Sequence, residues 1–227
     1  MKTILLFLLS FLPLYFSWAQ NPAYQEKYVI GSVPAMSIDN MAIDTENNLY
    51  LTDMSRIVKV KDGNILLDFK VNQDDYNAGY DNSEGVYLDI EVDRSQFIYI
   101  LNPRKNRIEK HDQQGNLVKV FPPIPDAIMN QFLFTSLHMD RNENLNILDN
   151  YKRRILVYNA AGTLLEIISL ADPAPSSPAE QTTIAFNHEN NIYVAELKRG
   201  AWNPTAYITL LNREGKIIQR FSDAVMK

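Results

Sequence analysis

The chain of 227 residues contains no cysteine. That absence excludes disulfide staples, thiolate metal sites, a cysteine nucleophile and a lipid anchor attached through a thiol. Histidine is scarce, at three residues, which leaves few imidazoles for acid–base work or metal ligation. Basic residues are in the minority, 22 Lys and Arg against 27 Asp and Glu, for a formal net charge of −5. An acidic chain is poorly suited to displacing counterions from a phosphate backbone, so no nucleic-acid partner is expected. Beyond residue 20 no apolar run is long enough to cross a bilayer, so no membrane span is expected in the mature chain. A nucleophile-elbow serine motif and a glycine-rich phosphate loop are also missing from the sequence.

The first residues form a separate element. Lys2 precedes an apolar run from Ile4 to Phe16, interrupted by Pro13, and Ser17-Trp18-Ala19 places small residues before Gln20. This is the pattern of a secretory signal peptide over residues 1–19, cut between Ala19 and Gln20. A secreted or periplasmic location follows as the expectation, with an uncleaved anchor as its alternative. Residues 20–227 then make one domain.

That domain repeats. Asp44, Asp93, Asp140 and Asn187 recur at spacings of 49, 47 and 47 positions, each opening a polar turn. Nine residues after each comes Asp53, Asn102, Asp149 or Glu196, and between them lies a β-rich run such as Phe97-Ile98-Tyr99-Ile100. Each copy ends in a further hairpin whose turn carries Gly63, Gly115, Gly162 or Gly215. A period in the forties built from short strands predicts an all-β propeller of four blades, near residues 38–70, 86–122, 134–169 and 182–222. Ile43, Leu49, Leu51, Val92, Ile98, Ile100, Met139, Leu145, Ile147, Phe186, Ile192 and Val194 recur at matched positions and are the expected core.

The motif Asp-x-x-Asn-Asn-(Leu/Ile)-Tyr-(Leu/Val)-x-(Asp/Glu), followed by Arg56-Ile57, Arg107-Ile108 or Arg154-Ile155, resembles the NHL repeat; the fourth copy departs from it with Tyr207-Ile208. The resemblance covers about residues 38–221 and implies an NHL-type β-propeller. Rings of that kind are commonly six-bladed. The expectation is therefore a truncated or partial ring, self-associating through its open blade edges, or else a compact four-bladed ring. The family includes scaffolds, binding modules and a few enzymes, so the resemblance speaks for fold more than for function. Its lyases hold a metal on several channel histidines; this chain offers one such histidine, and that carry-over fails.

Candidate functional residues fall in two groups. The loop after the first copy is acidic and carries Tyr76 and Tyr80, while the longer fourth copy, 28 positions from anchor to glycine against 22 in the second and third, carries Lys198, Arg199, Trp202 and Asn203. Aromatic and basic loop residues suit a protein, peptide or glycan ligand, although Trp202 folded back on its own blade is the plainer reading. Arg104, Lys105 and Arg107, Lys152, Arg153 and Arg154, and Lys198 and Arg199 make a basic rim that can hold an anion or simply be solvated. The polar positions nine after each anchor suit local loop bonding better than a cation. On the first strand of each copy, Glu91 and His138 occupy the position held by Ala42 and Ala185, and Asp89 shares the face of Glu91. Such a pair is an interblade hydrogen bond or an acid–base or metal-ligating pair. The expected function is an exported, non-catalytic binding or scaffold propeller with no cofactor. The alternative is a metal-assisted hydrolase or lyase in which Glu91, His138 and a divalent cation act near the channel.

Overall fold

The computed structural model describes residues 38–53, 55–71, 88–102, 107–122, 134–150, 152–170, 181–199 and 204–222. They form sixteen strands in four antiparallel sheets, and no helix occurs among the described residues. The first blade holds β1 (Asn40–Ile43), β2 (Leu49–Thr52), β3 (Arg56–Lys61) and β4 (Asn64–Lys70). The second holds β5 (Asp89–Val92), β6 (Ile98–Asn102), β7 (Arg107–His111) and β8 (Leu117–Val120). The third holds β9 (Phe134–Met139), β10 (Leu145–Asp149), β11 (Arg154–Tyr158) and β12 (Leu164–Ser169). The fourth holds β13 (Gln181–Phe186), β14 (Ile192–Arg199), β15 (Pro204–Leu211) and β16 (Ile217–Ser222). Within each sheet the spatial order follows the chain, and the first strands β1, β5, β9 and β13 pack one against the next. Sheets stacked side by side on their first strands make a β-propeller.

The repeated anchors explain why the hairpins form where they do. The Asp44 carboxylate accepts the N–H groups of Glu46 and Asn48 at 2.9 Å, and Asp140 and Asn187 hold the matching pairs in their own turns. Such local acceptors satisfy a turn's N–H groups and set its direction. The residue closing each turn, Asn47, Gln96, Glu143 or Asn190, has φ between 61° and 64°. The last strand of each blade is twisted by a register shift at a matched place, at Lys59/Val60, Lys110/His111, Val157/Tyr158 and Leu210/Leu211.

Three apolar clusters join the blades among the described residues. Tyr50, Ile57 and Val71 meet Ile90, Ile98 and Ile100; Tyr99, Leu101, Ile108 and Phe121 meet Leu145, Ile147 and Leu156; Leu148, Ile155 and Ile168 meet Ile184, Ile192 and Val194. The clusters run first to second, second to third and third to fourth blade. Both faces of a middle strand are therefore buried, as in β6 and β10, where every residue is enclosed. The expected core is right for Leu51, Ile98, Ile100, Leu145, Ile147, Ile192 and Val194, but it omits Tyr50, Tyr99, Leu148 and Ile155, which face the following blade.

Ile43 corrects the expectation outright, since it is 64% exposed. Its counterparts Val92, Met139 and Phe186 rest against clusters shared with the preceding blade, and no described blade precedes the first. Leu49 is half-buried for the same reason.

Candidate functional site

The structure brings Glu91 and His138 together. Alternation on β5 and β9 turns both side chains to one face, and His138 Nδ1 lies 3.0 Å from Glu91 Oε1. Both remain partly accessible to solvent. The imidazole also stacks on Phe186 of β13, ring centroids 5.2 Å apart and planes within 8°. The pair therefore ties the second blade to the third, and the third to the fourth.

Asp89 lies two residues earlier and makes the complementary tie. It accepts the Leu137 N–H of β9 at 2.6 Å, its own neighbour Ile90 N–H at 2.9 Å, and the side-chain amide of Asn40 on β1. One carboxylate thus spans three blades. Burial pushes its pKa up to about 6; the two backbone N–H groups oppose the rise, the Glu91 charge adds to it and His138 counters it. Asp89 can therefore exchange a proton not far below neutral pH, beside the Glu91–His138 pair. Among the described residues, however, no three His, Cys, Asp or Glu side chains gather closely enough to hold a metal ion. Ser136, beside this cluster, is buried with its hydroxyl 3.3 Å from that of Thr183.

The basic rim is largely neutralised where it is described. Arg107 bonds Glu109 at 2.7–2.8 Å, Arg154 bonds Asp149 at 2.8 Å, Arg153 pairs with Glu196, and Arg56 forks onto Asp68. Asp53 and Asp149 accept N–H groups of the loop that follows them, as their spacing suggests. Glu109 is buried and also meets the His111 ring at 3.2 Å; burial would raise its pKa, but bonds from His111 and Arg107 outweigh that and hold it low. A shallow cleft, about half open to solvent, lies between the third and fourth blades, where Arg153, Glu196 and Thr209 meet Leu170, Val194 and Leu211. The Thr209 hydroxyl there has no hydrogen-bond partner.

The loop candidates divide. Tyr76, Tyr80, Trp202 and Asn203 lie outside the described residues, as do Arg104 and Lys105. Lys198 and Arg199 were expected in a loop and instead continue β14, their backbones paired with Thr205 and Pro204. The extra length of the fourth copy is thus spent on a longer hairpin, because the added residues extend an existing antiparallel ladder. Asn40 and Phe186 belong to the innermost belt, and sequence reasoning assigned neither of them a role there. The repeat alignment held the available signal for Phe186, a ring at the position where the third copy has Met139.

Comparison with known proteins supports the fold alone. No protein-family model matches the chain, and no curated protein matches it. Among solved structures it is similar to virginiamycin B lyase from Staphylococcus aureus, with a TM-score of 0.57 and 14% identity over 84% of this chain and 57% of that one. It is also similar to a protein of unknown function from Bacteroides caccae, with a TM-score of 0.53 and 11% identity over 84% of this chain and 62% of that one. A third likeness is to BBS1N, solved in complex with ARL6DN, with a TM-score of 0.50 and 10% identity over 84% of this chain and 56% of that one. The chain thus spans less than two thirds of each of these structures. It is a β-propeller of four described blades.

Proposed function

We propose that this chain is an exported, non-catalytic binding or scaffold propeller of NHL-repeat type. The N-terminal signal pattern would deliver it to a secreted or periplasmic location, and its ligand would be a protein, peptide or glycan. The observation that carries the reading is the use to which the polar side chains are put. Glu91, His138 and Asp89 each have a partner on a neighbouring blade, and the described rim arginines are paired with carboxylates. The blade-to-blade pairs hold neighbouring sheets in register, a structural use of charge that favours a scaffold. The second reading, a metal-assisted hydrolase or lyase, draws on the accessible Glu91–His138 pair and lacks a third ligand among the described residues.

Peptide and glycan arrays probed with the protein and with Trp202→Ala test the proposal. The expected result is a defined set of bound probes that is lost or weakened at least tenfold in the variant, with Glu91→Gln and His138→Gln binding as before. Loss of binding in the Glu91 and His138 variants, together with stoichiometric metal in the purified protein, would favour the enzyme.

A further inference from the structure

The turn between β3 and β4 combines a free carboxylate, an unbonded peptide nitrogen and empty space. It consists of Asp62 and Gly63, the sole Asp–Gly step in the sequence, which contains no Asn–Gly. Both residues are exposed, and both have positive φ, 49° and 80°, as the two-residue hairpin that favours Asp–Gly requires. Nothing lies within 4 Å of where a Cβ on Gly63 would sit. Among the described residues neither the Gly63 N–H nor the Asp62 carboxylate has a hydrogen-bond or ion-pair partner.

The matched turns of the other blades are built differently. Gly115, Gly162 and Gly215 donate their N–H groups to the carbonyls of Asp112, Asn159 and Asn212 over 2.9–3.0 Å. The side chains of those three acceptors also take N–H groups further along each loop. In the first blade the same position, three before the glycine, is Val60, which offers no such side chain. The three bonded glycines are also closed in by the preceding blade, at Phe69, Phe121 and Ser169.

We propose that the Asp62–Gly63 turn is a site of spontaneous aspartate isomerisation, selected by its open geometry. The Gly63 nitrogen attacks Cγ of Asp62, so that a C–N bond forms and a C–O bond of the carboxyl group breaks. One water leaves, carrying the proton of the nitrogen and, when the carboxyl group starts ionised, one more from solvent. Water then opens the five-membered imide. Attack at Cγ restores aspartate; attack at the main-chain carbonyl gives isoaspartate, with the chain running through Cβ. Nothing is oxidised or reduced, and the product has the mass of the starting chain. Ring closure needs the turn to open, and opening is easiest where the glycine N–H gives up no bond and no neighbour encloses it.

The product matters to the blade because it adds one atom to the backbone of a two-residue turn. Lys61 and Asn64 then lose the register in which they pair, next to the shift at Lys59/Val60. β4 also carries Leu67 and Phe69, which pack on the cluster joining the first two blades. Isomerisation therefore loosens the first blade at its outer strand.

The purified protein is held for weeks at physiological temperature and near-neutral pH. Isoaspartate is then counted by methyl transfer from labelled S-adenosylmethionine with an isoaspartyl methyltransferase, and placed by peptide mapping. The expected result is isoaspartate at Asp62 in at least tenfold excess over any other aspartate, and none at that position in Asp62→Glu, which would need a six-membered ring. Gln114→Asp and Glu214→Asp place the same dipeptide in turns whose glycine is bonded and enclosed. Whichever of them keeps the native circular dichroism should isomerise there at least tenfold more slowly than Asp62. The proposal is overturned if Asp62 gains no isoaspartate, or if a folded transplant isomerises as fast, which would mean that the dipeptide alone sets the rate.

Discussion

Glycine at the turn between the last two strands of a blade serves two purposes, and they can be separated by position. At Gly63 only the positive φ of 80° asks for glycine, because the space around it is open. Gly63→Ala should therefore cost about 1 kcal/mol, the strain of a left-handed residue with a Cβ. At Gly215 the same strain is joined by a collision with the backbone oxygen of Ser169, which cannot move aside as a flexible side-chain tip can. Gly215→Ala should cost more, roughly 3 kcal/mol once overpacking is added, and Gly115→Ala should fall between them because the Phe69 ring can shift. Denaturant titration of the three variants checks the order; equal losses would mean that the close contacts at Gly115 and Gly215 contribute nothing.

Asp89 makes a second prediction at this scale, one of sign. Its folded pKa of about 6 stands above the ordinary 3.8, so the folded state holds a proton that the unfolded chain has already released between those values. Its contribution is present in full below pH 4 and is lost as pH rises through 6, by an amount on the order of 2–3 kcal/mol. Asp44, Asp68 and Asp112 act the other way: their pKa values are lowered, so their stabilisation is present above the ordinary carboxylate pKa and is lost as pH falls below it. Asp44 is lowered although burial, the largest influence on it, pulls upward; bonds from Asn48, Glu46 and Tyr50 outweigh that. Denaturant titrations from pH 4 to 7 should show a decline in the native protein that flattens in Asp89→Asn. An unchanged decline would place the titrating group elsewhere.

At the scale of the element, the turn between the first and second strands of a blade depends on one side chain. Asp140 accepts the N–H groups of Asn142 and Asn144 at 2.9 Å and receives Arg213 from the fourth blade at 3.2 Å. Asp140→Ala strips the acceptor from two N–H donors of its own hairpin and removes the nearer of two carboxylates beside a guanidinium from the next blade. A loss of about 2–4 kcal/mol is expected from the turn and the ion pair together. Asp140→Asn keeps the turn bonds and loses the charge, so it should lose about half as much. If the two variants melt alike, the Arg213 contact carries little. The same element shows what sequence could supply: the anchors are local chemistry and were readable from spacing. The extension of β14 and β15 through Lys198 and Arg199 was not, because polar residues that suit a loop also suit the exposed end of a hairpin.

At the scale of the whole molecule, the same residue type at the same repeat position is worth different amounts. Ile57, Ile108, Ile155 and Ile208 are matched, and the first three are fully buried between blades. Ile108→Ala or Ile155→Ala should cost about 2–5 kcal/mol, the range for truncating a buried aliphatic side chain. Ile208→Ala should cost under about 1.5 kcal/mol, since its face is half-exposed. Calorimetry of the matched series measures the difference, and a full-sized loss at Ile208 would mean that its face is covered in solution.

The sequence by itself determined the all-β class, the number of blades, the places of the turns and the meeting of Glu91 with His138. Each of these rests on a period or on chemistry confined to neighbouring residues, and neighbouring copies in a repeat are neighbours in space. Only the tertiary structure decided that Tyr50, Tyr99, Leu148 and Ile155 are core while Ile43 is not, because burial depends on whether a blade lies on each side, which no single repeat records. It also decided that Asp89 bridges three blades and that the rim arginines are paired. Those partners are 40 or more positions away in several cases, as with Arg153 and Glu196 at 43, and their approach is set by how one sheet stacks on the next.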